Sequence, residues 1–124
     1  MNEVDQLFAD FTDALRCGDC DRLADLVAED AEFWTHGAAP MKGREHVRTA
    51  MRAACEQFVV DRSWEEIERL TGDDFMVSVG IERTRATPRA GGEPVEVVQR
   101  GWTMARRGAD GRWRFTRGIT NRDA

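Results

Sequence analysis

Three arginines, Arg83, Arg100 and Arg117, fall among valines, isoleucines, tryptophans, methionine and phenylalanine when the C-terminal half of the chain is folded as two successive hairpins. A guanidinium keeps its proton, so an arginine in such surroundings needs a carboxylate or an anionic ligand beside it. The placement rests on turn chemistry: Pro88-Arg89-Ala90-Gly91-Gly92-Glu93 and Gly108-Ala109-Asp110-Gly111 each separate two strand-like runs. Symmetric folding about those turns puts Val77, Val79, Ile81, Arg83, Val98, Arg100, Trp102, Met104, Trp113, Phe115, Arg117 and Ile119 on one face. Met76, Ser78, Glu82, Thr84, Gln99, Thr103, Thr116 and Thr120 fall on the other. Glu66 and Glu68, with Trp64, join the arginine face if the 71–74 turn is a two-residue hairpin; a slip by one residue substitutes Ser63, Glu65, Ile67 and Arg69. Two readings stay open: structural ion pairs of the arginines with Glu66 or Glu68, or a pocket in which the arginines grip a small organic acid or an oxygen-rich molecule.

His36 shares a face of a short strand with Trp34. Its imidazole is the side chain whose ordinary titration lies nearest neutrality, which makes it the candidate general acid or base; the alternative is an exposed loop histidine beside Gly37. His46, next to Arg44, Glu45 and Arg48, reads as solvated surface. Cys17-Gly18-Asp19-Cys20 has redox spacing, but Cys17 closes a helix where a thioredoxin-type thiol would open one, so packing or loop cysteines are expected. Two histidines ten residues apart and three cysteines match no known metal spacing, and no helix follows Gly91-Gly92 to make a phosphate cradle. Neither a metal nor a cofactor is expected.

The elements that must hold these residues follow from periodicity. Leu7, Phe8, Phe11, Ala14 and Leu15 recur at helical spacing and Gly18 sits where that helix stops. A second helix, capped by Asp19 or Asp21, carries Leu23, Leu26 and Val27; a third buries Val47, Met51, Ala54, Cys55 and Phe58. Between them residues 31–35 read as a short strand, and strands are expected near 61–70, 75–87, 95–106 and 112–121. Trp64, Ile67 and Leu70 are spaced by three, which a β-bulge would reconcile with a strand. Gly80, Gly101 and Gly118 fall in one transverse row, and a row without Cβ atoms lets a sheet bend around a cavity. Helices first and an antiparallel meander last imply an α+β fold with helices on one face of the sheet.

At 124 residues the chain is read as one domain over 1–124. It has no apolar run of the roughly 20 residues that span a membrane. The acidic start, Met1-Asn2-Glu3-Val4-Asp5, is unlike a signal peptide, so a cytoplasmic location is expected. With a net charge of −5 and scattered basic residues, of which only Lys42 is lysine, neither a nucleic acid nor a membrane surface is the expected partner.

Several runs together resemble the nuclear transport factor 2-like (NTF2-like) superfamily, and within it the SnoaL-like group. They are Gly18-Asp19, Leu26-Val27-Ala28-Glu29-Asp30-Ala31-Glu32-Phe33, Met41-Lys42-Gly43-Arg44-Glu45-His46-Val47, Thr71-Gly72-Asp73 and Asp110-Gly111-Arg112-Trp113-Arg114-Phe115. The resemblance implies a cone-shaped fold, three N-terminal helices packed on a strongly curved mixed or antiparallel sheet. It implies a homodimer through the exposed sheet face, which the register above would make the face of Ser78, Glu82, Thr84, Gln99, Thr103, Thr116 and Thr120. It also implies a pocket near the first strand and the following loop, hence near His36. As a binding domain the chain would hold a small apolar or aromatic ligand, with Trp34, Trp64, Trp102, Met104 and Phe115 as walls and Arg83, Arg100, Arg117, Gln99 or His36 as polar contacts. As an enzyme of the polyketide cyclase, isomerase or hydratase type it would pair His36 with Glu66 or Glu68; a ligand-free dimeric accessory module is the third possibility. Ketosteroid isomerases of this fold use a tyrosine and an aspartate, whereas this chain has no tyrosine and carries Trp34 about where the aspartate would be. The Asp-Arg-Asp set of the epoxide hydrolases would need glutamates here, and Arg117 and Asn121 occupy the ground where many SnoaL-like cyclases place an acid.

Overall fold

The first helix is capped at both ends by side chain and glycine: Asn2 accepts a hydrogen bond from the Asp5 amide, and Gly18 leaves the helix at a φ of 69°. The computed structural model describes residues 2–122. The order is α1 (Glu3–Cys17), α2 (Cys20–Asp25), β1 (Val27–Trp34), β2 (Met41–Lys42), α3 (Arg44–Gln57), β3 (Phe58–Thr71), β4 (Phe75–Pro88), β5 (Val95–Arg107) and β6 (Trp113–Asn121). Asp19 caps α2 by accepting from the Arg22 amide. Val27, expected in the stripe of the second helix, instead opens β1 opposite Phe115. The two-residue β2, too short to show a period, pairs Met41 and Lys42 with Phe33 and Glu32.

The strands form one mixed, unclosed sheet in the order β2-β1-β6-β5-β4-β3, curved around the helices, with β1 and β6 parallel and the remaining pairs antiparallel. This is the α+β architecture expected from the sequence. The core lies between the helices and the sheet: Leu7, Leu15, Leu23, Val27, Val47, Met76, Ala105 and Phe115 are buried together. Phe8 and Phe11 of α1 meet the Phe115 ring edge-on at 5.1 and 5.4 Å.

Gly80 faces Gly101 across β4 and β5, as the turn chemistry predicts. A Cβ on Gly80 would land on the Glu65 carbonyl oxygen, and one on Gly101 on the Ile119 carbonyl oxygen, so the strands approach here more closely than any other residue type permits. Gly118 is not the third member of the row. It opposes Thr103, while Gly101 opposes Thr120. The last turn is offset by one residue from symmetric folding, and a bulge at Thr116, between the Ala105–Phe115 and Met104–Arg117 pairs, adds a second. A bulge occurs at Ile67, between the Glu66–Gly80 and Glu68–Val79 pairs, but it does not gather the three-residue spacing onto one face: Trp64 lines the inner side, while Ile67 and Leu70 are exposed. We expect Gly80→Ala to destabilise the fold by about 1–3 kcal/mol, since β3 must shift to admit the methyl group; chemical denaturation measures this directly.

The facing of the sheet is the reverse of the expected one. Met76 and Ser78 are fully buried, whereas Val98 is 56% and Trp102 41% exposed. The small, polar face is therefore the one beneath the helices, and Ser78, Glu82, Thr84, Gln99 and Thr103 do not form an outer dimer surface. Curvature explains the reversal: the concave side of a coiled sheet crowds its side chains and takes glycine, serine and threonine, while the bulky ones stand on the convex side. The bulge at Thr116 then changes parity within β6, which is how Phe115 reaches the interior while Arg117 points out. Among the described residues no helix is long and apolar enough to cross a membrane.

Candidate functional site

A cavity of about 380 Å³ opens between α1, α3 and the concave face of the sheet. Helical spacing aims Phe11 and Leu15 of α1 and Val47, Met51 and Ala54 of α3 into it, and the sheet closes it with Phe58, Val60, Trp64, Val97 and Phe115. Trp34, more than half exposed, stands at the rim with Thr35.

A polar strip crosses this apolar lining. Arg62 and Glu82 are its only charged members among the described residues. They meet as an ion pair with Nε 2.8 Å from Oε2 and side chains 13% and 17% exposed. The Arg62 guanidinium also lies over the Phe11 ring at 5.2 Å and the Trp64 ring at 5.8 Å. Thr84 directs its hydroxyl to Glu82 Oε1 at 3.4 Å. Opposite Glu82 in the β4–β5 register sits Gln99, only 9% exposed, whose Oε1 has no hydrogen-bond partner among the described residues.

Below the strip a second network fastens α1 to the sheet. The Trp64 indole N–H donates to Ser78 Oγ at 2.8 Å, and the Ser78 hydroxyl donates to Glu66 Oε2 at 2.5 Å. Arg69 donates to Glu66 at 2.9 Å and to Asp5 of α1 at 2.9 Å. Trp64 is thus held in one orientation, with its ring against Gly80 and stacked at 6.5 Å on Phe8.

Of the residues singled out from the sequence, Trp34, Trp64, Trp102, Phe115 and Gln99 line the cavity. Arg83, Arg100 and Arg117 are exposed and lie outside it: Arg83 reaches Glu65 at 3.5 Å, Arg100 donates to Asn121 at 2.9 Å, and Arg117 donates to the carbonyl oxygens of Asp30 and Thr116. The predicted pairing of these arginines with Glu66 or Glu68 is absent, because all three arginines occupy the convex side. Met104 also borders that outer region and not the cavity. Glu66 points inward but is committed to Ser78 and Arg69, and Glu68 is exposed. His36 lies in the exposed turn after β1, its backbone N–H 3.4 Å from Thr120 Oγ1. His36, Glu66 and Glu68 therefore do not converge on one point of the cavity.

The Arg62–Glu82 pair escaped the sequence reading as a pair, although Arg62 and Trp64 at spacing two on one strand were the available signal. Cys20 and Cys55 are buried, Cys17 is exposed, and all three are free thiols; burial raises the Cys55 thiol above its usual range, an inert setting. At the β5–β6 turn, hydrogen bonds from Arg114 and the Arg112 amide pull the Asp110 carboxyl down to about 2. No group of three or more metal-ligating side chains occurs among the described residues.

Residues 8–116 match the family model of the SnoaL-like domain. The chain belongs to the SnoaL-like domain family. Solved structures agree on the fold. A conserved protein from Planctomyces limnophilus is 21% identical to this SnoaL-like domain at a TM-score of 0.86, over 96% of this chain and 94% of its own. A ketosteroid isomerase-like protein from Erwinia carotovora atroseptica is 17% identical at 0.79, over 95% and 92%. An NTF2-like protein with a cystatin-like fold from Novosphingobium aromaticivorans is 21% identical at 0.77, over 95% and 78%. No curated protein matches this sequence.

Proposed function

We propose that this SnoaL-like domain binds a small, largely apolar or aromatic molecule in the cavity under its concave sheet. The observation that carries the reading is that about 380 Å³ remains open although Phe11, Phe58, Trp64 and Phe115 all point into it. A volume in the range of small-molecule sites, apolar walls and a few convergent polar groups is the usual composition of a ligand pocket. Trp34, Trp64, Trp102 and Phe115 are the proposed walls, and Arg62, Glu82 and Gln99 the proposed polar contacts. A proton-transfer pair of His36 with Glu66 or Glu68 gains no support, since the histidine is exposed and the glutamates are tied elsewhere or solvated. Naphthalene, an uncharged two-ring probe, is expected to raise the melting temperature in a concentration-dependent way, because a ligand held only by the folded state stabilises it by mass action. No rise near saturating naphthalene, with no heat of binding, overturns the proposal.

A homodimer through the convex sheet face is the second part of this reading. Ile67, Leu70, Phe75 and Val98 are each more than 40% exposed there, an apolar patch of the kind that marks association surfaces. Sedimentation equilibrium should return twice the chain mass for the native protein and the single mass for Val98→Asp.

A further inference from the structure

We propose that the cavity takes an uncharged molecule of about two rings whose hydroxyl hydrogen-bonds to the Gln99 side-chain amide. The inference rests on the ligand-binding reading above and specifies the ligand's charge, size and polar group.

Charge comes from the strip. Arg62 and Glu82 are the only ionised side chains lining the cavity among the described residues, and they neutralise one another at 2.8 Å. The guanidinium is further covered by the Phe11 and Trp64 rings. A carboxylate brought into this lining finds no unspent positive charge, and burying it so is strongly unfavourable. An organic acid, the ligand that a ring of inward arginines would have favoured, is therefore the wrong class: Arg83, Arg100 and Arg117 are outside.

Size comes from volume. A cavity of roughly 150 Å³ lined by apolar side chains holds one benzene, so about 380 Å³ suits a two-ring body.

The polar group comes from Gln99. Its side chain is nine-tenths buried, it lines the cavity, and its Oε1 lacks a donor among the described residues. Of the neighbouring donors, Trp64 Nε1 is committed to Ser78, Arg62 Nε and the Thr84 hydroxyl to Glu82, and the Thr103 hydroxyl to the Arg117 carbonyl oxygen. An unpaired buried acceptor is costly, and a side chain that serves only the fold would have acquired a partner. A ligand hydroxyl supplies the missing hydrogen when rotation of the Gln99 side chain turns Oε1, which has almost no accessible surface, toward the cavity.

The test measures the affinities of naphthalene, 2-naphthol and 2-naphthoate by titration calorimetry at about pH 7, where the naphthol is neutral and the naphthoate charged. The wild-type protein should bind 2-naphthol about tenfold more tightly than naphthalene and at least about tenfold more tightly than 2-naphthoate. Gln99→Leu should erase the naphthol preference, bringing the naphthol and naphthalene affinities to within about twofold of one another, and not lower the melting temperature of the free protein; Gln99→Met serves the same comparison if the leucine variant fails to fold. Naphthalene binding without a hydroxyl preference, or naphthoate binding at least as tightly as naphthol, overturns this inference and leaves the cavity reading standing. Failure of all three probes to bind overturns both.

Discussion

Arg62→Met lowers the unfolding free energy by about 3–5 kcal/mol at neutral pH, the cost of leaving a buried carboxylate without its partner. Glu82 has a side chain only 17% exposed, and among the described residues the one side chain bonded to it besides Arg62 is the Thr84 hydroxyl at 3.4 Å. Removing the guanidinium also withdraws the cation that covers the Phe11 and Trp64 rings. Arg62→Met combined with Glu82→Gln should recover most of the stability, since a neutral strip of similar volume replaces a broken pair. Urea unfolding of the three proteins at neutral pH reads all of this. A single variant as stable as the native protein, or a double variant no better than the single, would show that the pair is not the electrostatic anchor of the cavity.

Ala54→Phe should weaken naphthalene binding about 100-fold while changing the stability of the free protein by less than about 1 kcal/mol. Ala54 lies on α3 next to Met51 and Cys55 and lines the cavity, so a benzyl group there enters open volume and displaces about one ring of ligand. Burial of one aromatic ring contributes about 3 kcal/mol, which corresponds to about two orders of magnitude in affinity. Because the new side chain fills space and severs no hydrogen bond, the fold should tolerate it. Unimpaired naphthalene binding to a folded Ala54→Phe protein would place the ligand elsewhere.

The architecture was legible in the sequence because it rests on local rules. Asn2, Gly18 and Asp19 cap helices by side-chain and φ chemistry alone, and the 88–93 turn sets the β4–β5 register that brings Gly80 opposite Gly101. Facing was not legible, because bulk is no sign of burial in a coiled sheet. In a coiled sheet the concave side selects small residues, so Ser78 and Thr103 lie inside while Val98 lies outside. The second misreading is of the same kind: a single bulge at Thr116 reverses parity along β6, and no local signal in Trp113-Arg114-Phe115-Thr116-Arg117 announces it. The facing error moved the arginines inward and hid the pair that does border the cavity, whereas the bulge separates Phe115 from Arg117, which the symmetric register had put on one face. Trp64, Trp34 and Phe115 kept their place because large aromatic side chains reach the cavity from its floor and rim.

The most direct measurement uses the methionine methyl groups as reporters. Met41 and Met51 line the cavity, Met76 is buried outside it and Met104 faces the convex side. In a methyl-carbon NMR titration with 2-naphthol, ligand in the cavity shifts the Met41 and Met51 signals in a saturable way and leaves Met104 in place. Movement of Met104 with Met41 and Met51 unmoved, or no movement of any of them, would contradict a ligand site under the concave sheet.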